Sequence, residues 1–172
     1  AAVAALGGCD LLVNNASGFG STDDDKGWGT NFAVDMMAIV HATQEALPAL
    51  KKGPGSVVNI SSIAAHHPAA RQPPYGAMKA AVIHYTTTQA AMYARDKVRV
   101  NCIAPGSVDF PGGVWDRRKT DNPALYNGTL ASIPFGRMGM PEEIANVALF
   151  LASPLASWVT GQTIAVAGGQ GL

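Results

Sequence analysis

Charge is scarce in this chain. Its 12 Lys and Arg residues balance its 12 Asp and Glu residues, so only 14% of the 172 positions are charged and the formal net charge is zero. No basic stripe is present to follow a phosphate backbone, which argues against a nucleic-acid partner. No block of like charges marks a solvated tail. Cysteine is nearly missing too. Cys9 and Cys102 are the only two, too few for a disulfide framework, and Cys102 lies in the apolar run VRVNCIA, where a thiol acts as a small hydrophobe. No apolar run approaches the roughly 18–20 residues that span a bilayer. The opening AAVAALGGCD is apolar but has no basic start of a secretory signal. These absences lead to an expectation of a cytoplasmic protein with no nucleic-acid and no membrane partner. Hydrophobic residues, by contrast, make up 48% of the chain. Low charge with many Ala, Val and Gly predicts large buried faces, some of them between subunits, and the length fits one domain with a real core.

Four runs read as strands: LLVNN (11–15), SVVNIS (56–61), VRVNCIA (98–104) and TIAVAG (163–168). They are rich in Val, Ile and Leu and alternate little, the pattern of parallel strands covered on both faces. Helical patterns lie between them, over 28–50, 74–95 and 141–152, with a shorter helix around 122–132. The last long one opens Pro141-Glu142-Glu143, a favourable first turn. Strands alternating with helices predict an α/β fold, a doubly wound parallel sheet of Rossmann-like, three-layer α/β/α type. Val3 and Leu6 followed by Gly7-Gly8 read as the end of a helix, so the chain is expected to be the C-terminal portion of a longer domain. Two long loops stand out, 16–28 and 105–140. The second is rich in Pro and Gly and is the expected substrate loop. Within the first, Gly18-Phe19-Gly20 reads as a flexible segment.

In such open sheets ligands bind beyond the carboxyl ends of the strands. Asn14-Asn15, Ser62 and Pro105-Gly106 all fall at such ends. Ser62 ends a strand and Tyr75 opens the helix that follows, four residues before Lys79, so phenol and ammonium share one helix face. An ammonium beside a phenol favours the phenolate and lowers its pKa from about 10. A phenol so poised can exchange a proton with an oxygen near neutral pH, and the Ser62 hydroxyl can address the same oxygen. The set suits interconversion of a carbonyl and an alcohol, with the hydride carried by a cofactor. Y-x-x-x-K alone arises by chance on many helices; the strand, polar loop and helix around it give it weight.

With these residues in view, the chain resembles the short-chain dehydrogenase/reductase family along its whole length. LLVNNAS (11–17) resembles the family's fourth-strand segment. Ser62, Tyr75 and Lys79 match its catalytic serine, tyrosine and lysine in order and spacing. NCIAPGSV (101–108) resembles its Pro-Gly cofactor loop, and 141–169 its last helix and strand. The resemblance implies NAD or NADP as cofactor and a small-molecule carbonyl or secondary alcohol as substrate. It makes Tyr75 the acid/base, has Lys79 keep the phenol acidic and hold ribose hydroxyls, and has Ser62 polarise the carbonyl. Cofactor contacts fall to Asn14, Ala16, Ser17, Ile60, Tyr75, Lys79, Pro105, Gly106 and Val108. It also implies a homodimer or homotetramer, with Met36, Met37, Ala90, Ala91 and Met92 on the pairing surfaces.

The chain departs from the family pattern in several places. The glycine-rich phosphate loop is not within residues 1–172, so the expectation is a single, incomplete dinucleotide-binding and catalytic domain. A truncated, non-catalytic scaffold is the alternative reading. Epimerase and dehydratase relatives share Y-x-x-x-K but need a larger C-terminal domain. Asp35 stands where the family often has an asparagine in a water relay to the lysine; it is read either as a catalytic relay residue or as a polar helix residue paired locally. Ser17 replaces a usual glycine, Phe110 a frequent threonine, and Ala167 a frequent aspartate. No metal is expected: His66 and His67 point apart with no third ligand, and Asp23-Asp24-Asp25 lacks calcium-loop spacing and reads as a loop tip with a helix cap. His41 and His84 read as packing or interface residues. Arg117, Arg118 and Lys119 read as a solvated cluster, with an acidic substrate or carrier as the alternative. Trp115, Phe110 and Tyr126 read as a pocket wall or as loop packing.

Overall fold

The computed structural model describes residues 2–172, and Ala1 lies outside the described residues. Four strands form one sheet in the order β1 (Leu11–Asn14), β2 (Ser56–Ile60), β3 (Arg99–Pro105) and β4 (Thr163–Val166). All three pairings are parallel, with Leu11 opposite Ser56, Ser56 opposite Arg99 and Cys102 opposite Thr163. Parallel neighbours require crossovers, and helices supply them. In chain order these are α1 (Ala2–Ala5), α2 (Asp25–Asn31), α3 (Ala38–Leu50), α4 (Pro73–Tyr93), α5 (Val114–Asp121), α6 (Pro123–Ala131) and α7 (Pro141–Ala152).

Alternate strand residues face opposite layers, as the period of two requires. Val57 and Val100 pack with Ala46 and Leu50 of α3 and with Ala90 and Tyr93 of α4. Val58 and Ile103 point the other way, against Leu151, Ile144 and Val147 of α7. The central strands are thus covered on both faces, which explains why their sequences show so little alternation between apolar and polar residues. The doubly wound α/β architecture is present. Ala90 is a correction: it belongs to the buried core and not to an outer surface, whereas Ala91 and Met92 are exposed.

The region read as one helix over 28–50 is interrupted. Residues Phe32–Met37 form a π-helical turn between α2 and α3, with Asp35 buried in it. Such wide turns insert an extra residue and often accompany functional sites. α2 starts earlier than expected, because Asp24 caps it by accepting from the Gly27 N–H at 2.7 Å. The 105–140 segment holds two helices, α5 and α6, where one was expected; α5 is too polar to show an apolar period.

Candidate active site

The carboxyl ends of β1, β2 and β3 bring Asn14, Ile60–Ser62 and Pro105–Gly106 to one edge of the sheet. Behind that edge a buried polar network ties the strands to the helices. The Asn14 side-chain amide donates to Asn59 Oδ1 at 2.8 Å and to Thr43 Oγ1 at 3.3 Å. Asn59 in turn donates to Thr86 and Gln89 of α4, each at 3.0 Å. Bonds between buried polar groups fix register and orientation, and in this network the Gln89 amide nitrogen is left without a partner among the described residues.

α4 opens with Pro73-Pro74, whose missing N–H groups cost nothing in a first turn, and this sets Tyr75 at the mouth of the helix. Lys79, one turn on, is 2% exposed. Its ammonium donates to the Ile60 carbonyl at 3.0 Å and pairs with Asp35 Oδ1 at 2.9 Å. It lies 5.5 Å from the centroid of the Tyr75 ring. The Ser61 hydroxyl donates to the Lys79 carbonyl at 2.7 Å, anchoring the turn that presents the lysine. Ser62 has extended backbone and accepts from the Ala64 N–H at 3.1 Å, capping a short helical turn over Ile63–Ala65. Its hydroxyl lies near enough to the Tyr75 phenol to favour the phenolate. Ser62, Tyr75, Lys79 and Asp35 therefore lie together.

The surroundings of the phenol favour its protonated form, the reverse of the sequence expectation. Burial pushes the Tyr75 pKa above its ordinary value, the Ser62 hydroxyl opposes this, and the negative charge of Asp35 adds to it. The ammonium expected to lower it is engaged by the buried Asp35 carboxylate, so its field at the phenol is largely cancelled.

The loop after β1 is a second correction. Gly18-Phe19-Gly20 is pinned: the Gly18 N–H donates to Asp35 Oδ2 at 3.0 Å and Asn31 Nδ2 donates to the Gly20 carbonyl at 2.7 Å. Ser17 donates to Asp35 Oδ1 at 2.6 Å. Phe19 holds φ at +49°, a region rare for residues other than glycine. Its ring lies nearly parallel to Tyr75, centroids 5.9 Å apart. Sequence reasoning missed this partner of the phenol; an aromatic between two glycines beyond Asn-Asn-Ala was the available signal. Ala16 is exposed beside Ser17.

At the third strand end, Gly106 donates to the Val166 carbonyl at 3.0 Å. A Cβ there would come within 2.9 Å of Ala167 and of the Gln170 amide oxygen, so only glycine fits without movement. Gln170 accepts from the Ser107 N–H at 2.9 Å, and Val108 bridges to Gly139. In the long segment, Lys119 pairs with Asp109 at 2.7 Å and with Asp116 at 3.5 Å, and Arg118 stacks on Trp115 at 4.8 Å. Phe110 and the sequential pair His66 and His67 are exposed, as are His41 and His84 on their helices. Among the described residues no group of acidic, histidine or cysteine side chains is arranged to hold a metal.

A phenol, an ammonium and a hydroxyl thus meet at the carboxyl edge of a doubly wound parallel sheet, the edge at which such sheets bind ligands. Comparison with known proteins gives the family. The family model described as "Enoyl-(Acyl carrier protein) reductase" matches residues 1–170. Isoepoxydon dehydrogenase patN of Penicillium expansum is 37% identical over 166 residues, covering 95% of this chain and 64% of that relative. A solved 7α-hydroxysteroid dehydrogenase, complexed with NADH and 7-oxo glycochenodeoxycholic acid, superposes with a TM-score of 0.89 at 34% identity, over 98% of this chain and 66% of that one. A putative 2-deoxy-D-gluconate 3-dehydrogenase from Agrobacterium tumefaciens with bound NADP gives a TM-score of 0.86 at 33% identity, over 94% and 67%. The chain belongs to the short-chain dehydrogenase/reductase family. It spans 64% of the length of the Penicillium relative.

Proposed function

We propose that the protein carrying this chain is a nicotinamide-dependent oxidoreductase that interconverts a carbonyl and a secondary alcohol. The observation that carries the reading is the buried Lys79 ammonium beside the Tyr75 phenol, which is itself faced by Ser62. Residues 1–172 form the catalytic part of one dinucleotide-binding domain, and 105–140 its substrate loop.

The donor set fits NAD or NADP. An ammonium has three N–H donors, and Lys79 uses two of them on Ile60 and Asp35. The third remains for a ribose hydroxyl. The Asn14, Ala16 and Ser17 backbone, Ile60, the close-packed Pro105–Gly106 turn and Val108 border the same edge and would hold the rest of the dinucleotide's nicotinamide half. Bound there, the cofactor supplies or accepts the hydride. The chain's residues do the remainder. Tyr75 gives its phenolic proton to the substrate oxygen in reduction and removes it in oxidation. Ser62 donates to the same oxygen as negative charge develops on it. Lys79 orients the ribose and supports the phenol, and Asp35 holds Lys79. Phe110, at the opening of the substrate loop, lines the substrate's apolar side.

No helix of the described residues is long and apolar enough to cross a membrane, and the zero net charge gives nucleic acid no footprint. The reading includes a cytoplasmic setting, a small-molecule substrate, and a homodimer or homotetramer using the exposed sides of α3 and α4. Sedimentation at micromolar concentration is expected to show a dimer or larger, and a strict monomer contradicts that part. Titration of the intact protein with NADH and NADPH separates the enzyme from a scaffold. Saturable binding of one of them, with turnover on a panel of ketones, is the expected result; no binding of either favours a non-catalytic scaffold.

A further inference from the structure

Two of this chain's departures from its family's pattern, Ser17 and Asp35, touch each other. Asp35 is completely buried and accepts three donors: the Lys79 ammonium at 2.9 Å and the Ser17 hydroxyl at 2.6 Å on one oxygen, and the Gly18 N–H at 3.0 Å on the other. A carboxylate accepts on both oxygens. An amide accepts on one side and donates on the other. An asparagine here would therefore set its NH2 against Gly18 or against the Lys79–Ser17 side, leaving a buried donor orphaned. The donor pattern of this pocket selects an acid.

We propose that Asp35 is a positioning residue: its carboxylate clamps Lys79 as one half of a buried ion pair and, through Ser17 and Gly18, fixes the loop that lays Phe19 on the Tyr75 ring. This rests on the oxidoreductase reading for its consequence in turnover, but the clamp itself is a property of the chain. The charged groups facing the phenol are Lys79 from α4 and Asp35 from the π-helical turn; Ser62 and Phe19 bring neutral groups. With the lysine's charge met by a carboxylate, Tyr75 holds its proton to higher pH than it would beside an unpaired ammonium. The loop is held tightly as well as bonded. A Cβ on Gly18 would come within 2.9 Å of the Thr30 carbonyl and one on Gly20 within 2.5 Å of the Gly27 carbonyl, so the segment lies directly against the helix beneath it.

The test is an ultraviolet titration of the Tyr75 phenolate in the intact protein, with Tyr75→Phe as the blank, repeated in Asp35→Asn. Removing the negative charge is expected to lower the Tyr75 midpoint by about one pH unit. The lower-pH limb of the alcohol-oxidation profile should move with it. An unchanged or raised phenol midpoint overturns the proposal. A lowered midpoint in a protein that shows no dinucleotide-dependent turnover upholds the clamp and rejects the oxidoreductase reading instead. A second variant avoids the buried charge. Ser17→Ala is expected to speed amide hydrogen exchange at residues 17–20 about fivefold, the scale of one lost hydrogen bond. Unchanged exchange there also overturns the clamp.

Discussion

Two lysine–aspartate pairs in this molecule have almost the same geometry and different physics. Lys79–Asp35 closes at 2.9 Å with side chains 3% and 0% exposed; Lys119–Asp109 closes at 2.7 Å with side chains 43% and 20% exposed. At the second site water screens both charges, and Asp116 shares the ammonium. At the first, neither charge has solvent to fall back on, so each depends on the other and on the surrounding donors. Burial, not distance, decides which pair organises its surroundings. The 79–35 pair holds a helix turn, a strand-end carbonyl and a loop in one arrangement. The 119–109 pair steadies a surface segment.

The sharpest way to break this contrast is to remove one partner from each pair. Lys79→Met strands a buried carboxylate and is expected to lower stability by about 3–5 kcal/mol, read by chemical denaturation. Lys119→Met is expected to leave the midpoint where it was. Equal losses in the two variants would mean that burial is not the deciding variable.

Glycines allow the same contrast between the strand-end edge and the outer segment. Gly106→Ala forces a methyl to within 2.9 Å of Ala167 and is expected to cost about 1–3 kcal/mol, with weaker dinucleotide binding. Gly128 lies inside α6, and a methyl added to it would meet nothing within 4 Å. Gly128→Ala there should raise stability by up to about 1 kcal/mol through helix propensity. A loss at Gly128, or none at Gly106, would contradict the assignment of tight and open sites.

Much of this was legible in the sequence, and what was not has a physical cause. The strand runs carried the signature of two-sided burial, and the observed β2 differs from the expected run only at its last residue. Pro141-Glu142-Glu143 located the start of α7 because capping chemistry is local. The π-helical turn at Phe32–Met37 was invisible, since one extra residue hardly disturbs an apolar period spread over six turns. Ser62, Tyr75 and Lys79 were visible through spacing. The partners of Asp35 were not, because Ser17 and Gly18 reach it across the sheet edge and no periodicity relates them. The same distance hid Phe19, which meets Tyr75 from a loop bonded to Asp35 and to Asn31. The expected depression of the phenol pKa failed because a pairwise rule for Tyr75 and Lys79 omits the burial of the phenol first of all, and then the charge of Asp35.

The smallest expected effect lies on the surface. Arg137 pairs with Glu143 at 2.7 Å, and that hydrogen bond, with the Met140 N–H, holds the carboxyl down at about 2 from an ordinary 4.5. A folded-state pKa below the unfolded value means stability that is complete above about 4.5 and is lost as pH falls toward 2. Glu143→Gln should therefore differ slightly from the parent protein at neutral pH and converge with it in acid. Divergence on acidification would reverse the sign and contradict the pairing.

The proposed chemistry turns on the phenol at the mouth of α4. Turnover of the intact protein, with and without Tyr75→Phe and alongside a dinucleotide-binding titration of both, tests it most directly. The predicted result is a fall in turnover of at least roughly a hundredfold, the scale of a lost proton-transfer group, with dinucleotide binding retained. An undiminished rate would contradict the assignment of Tyr75 as the acid/base.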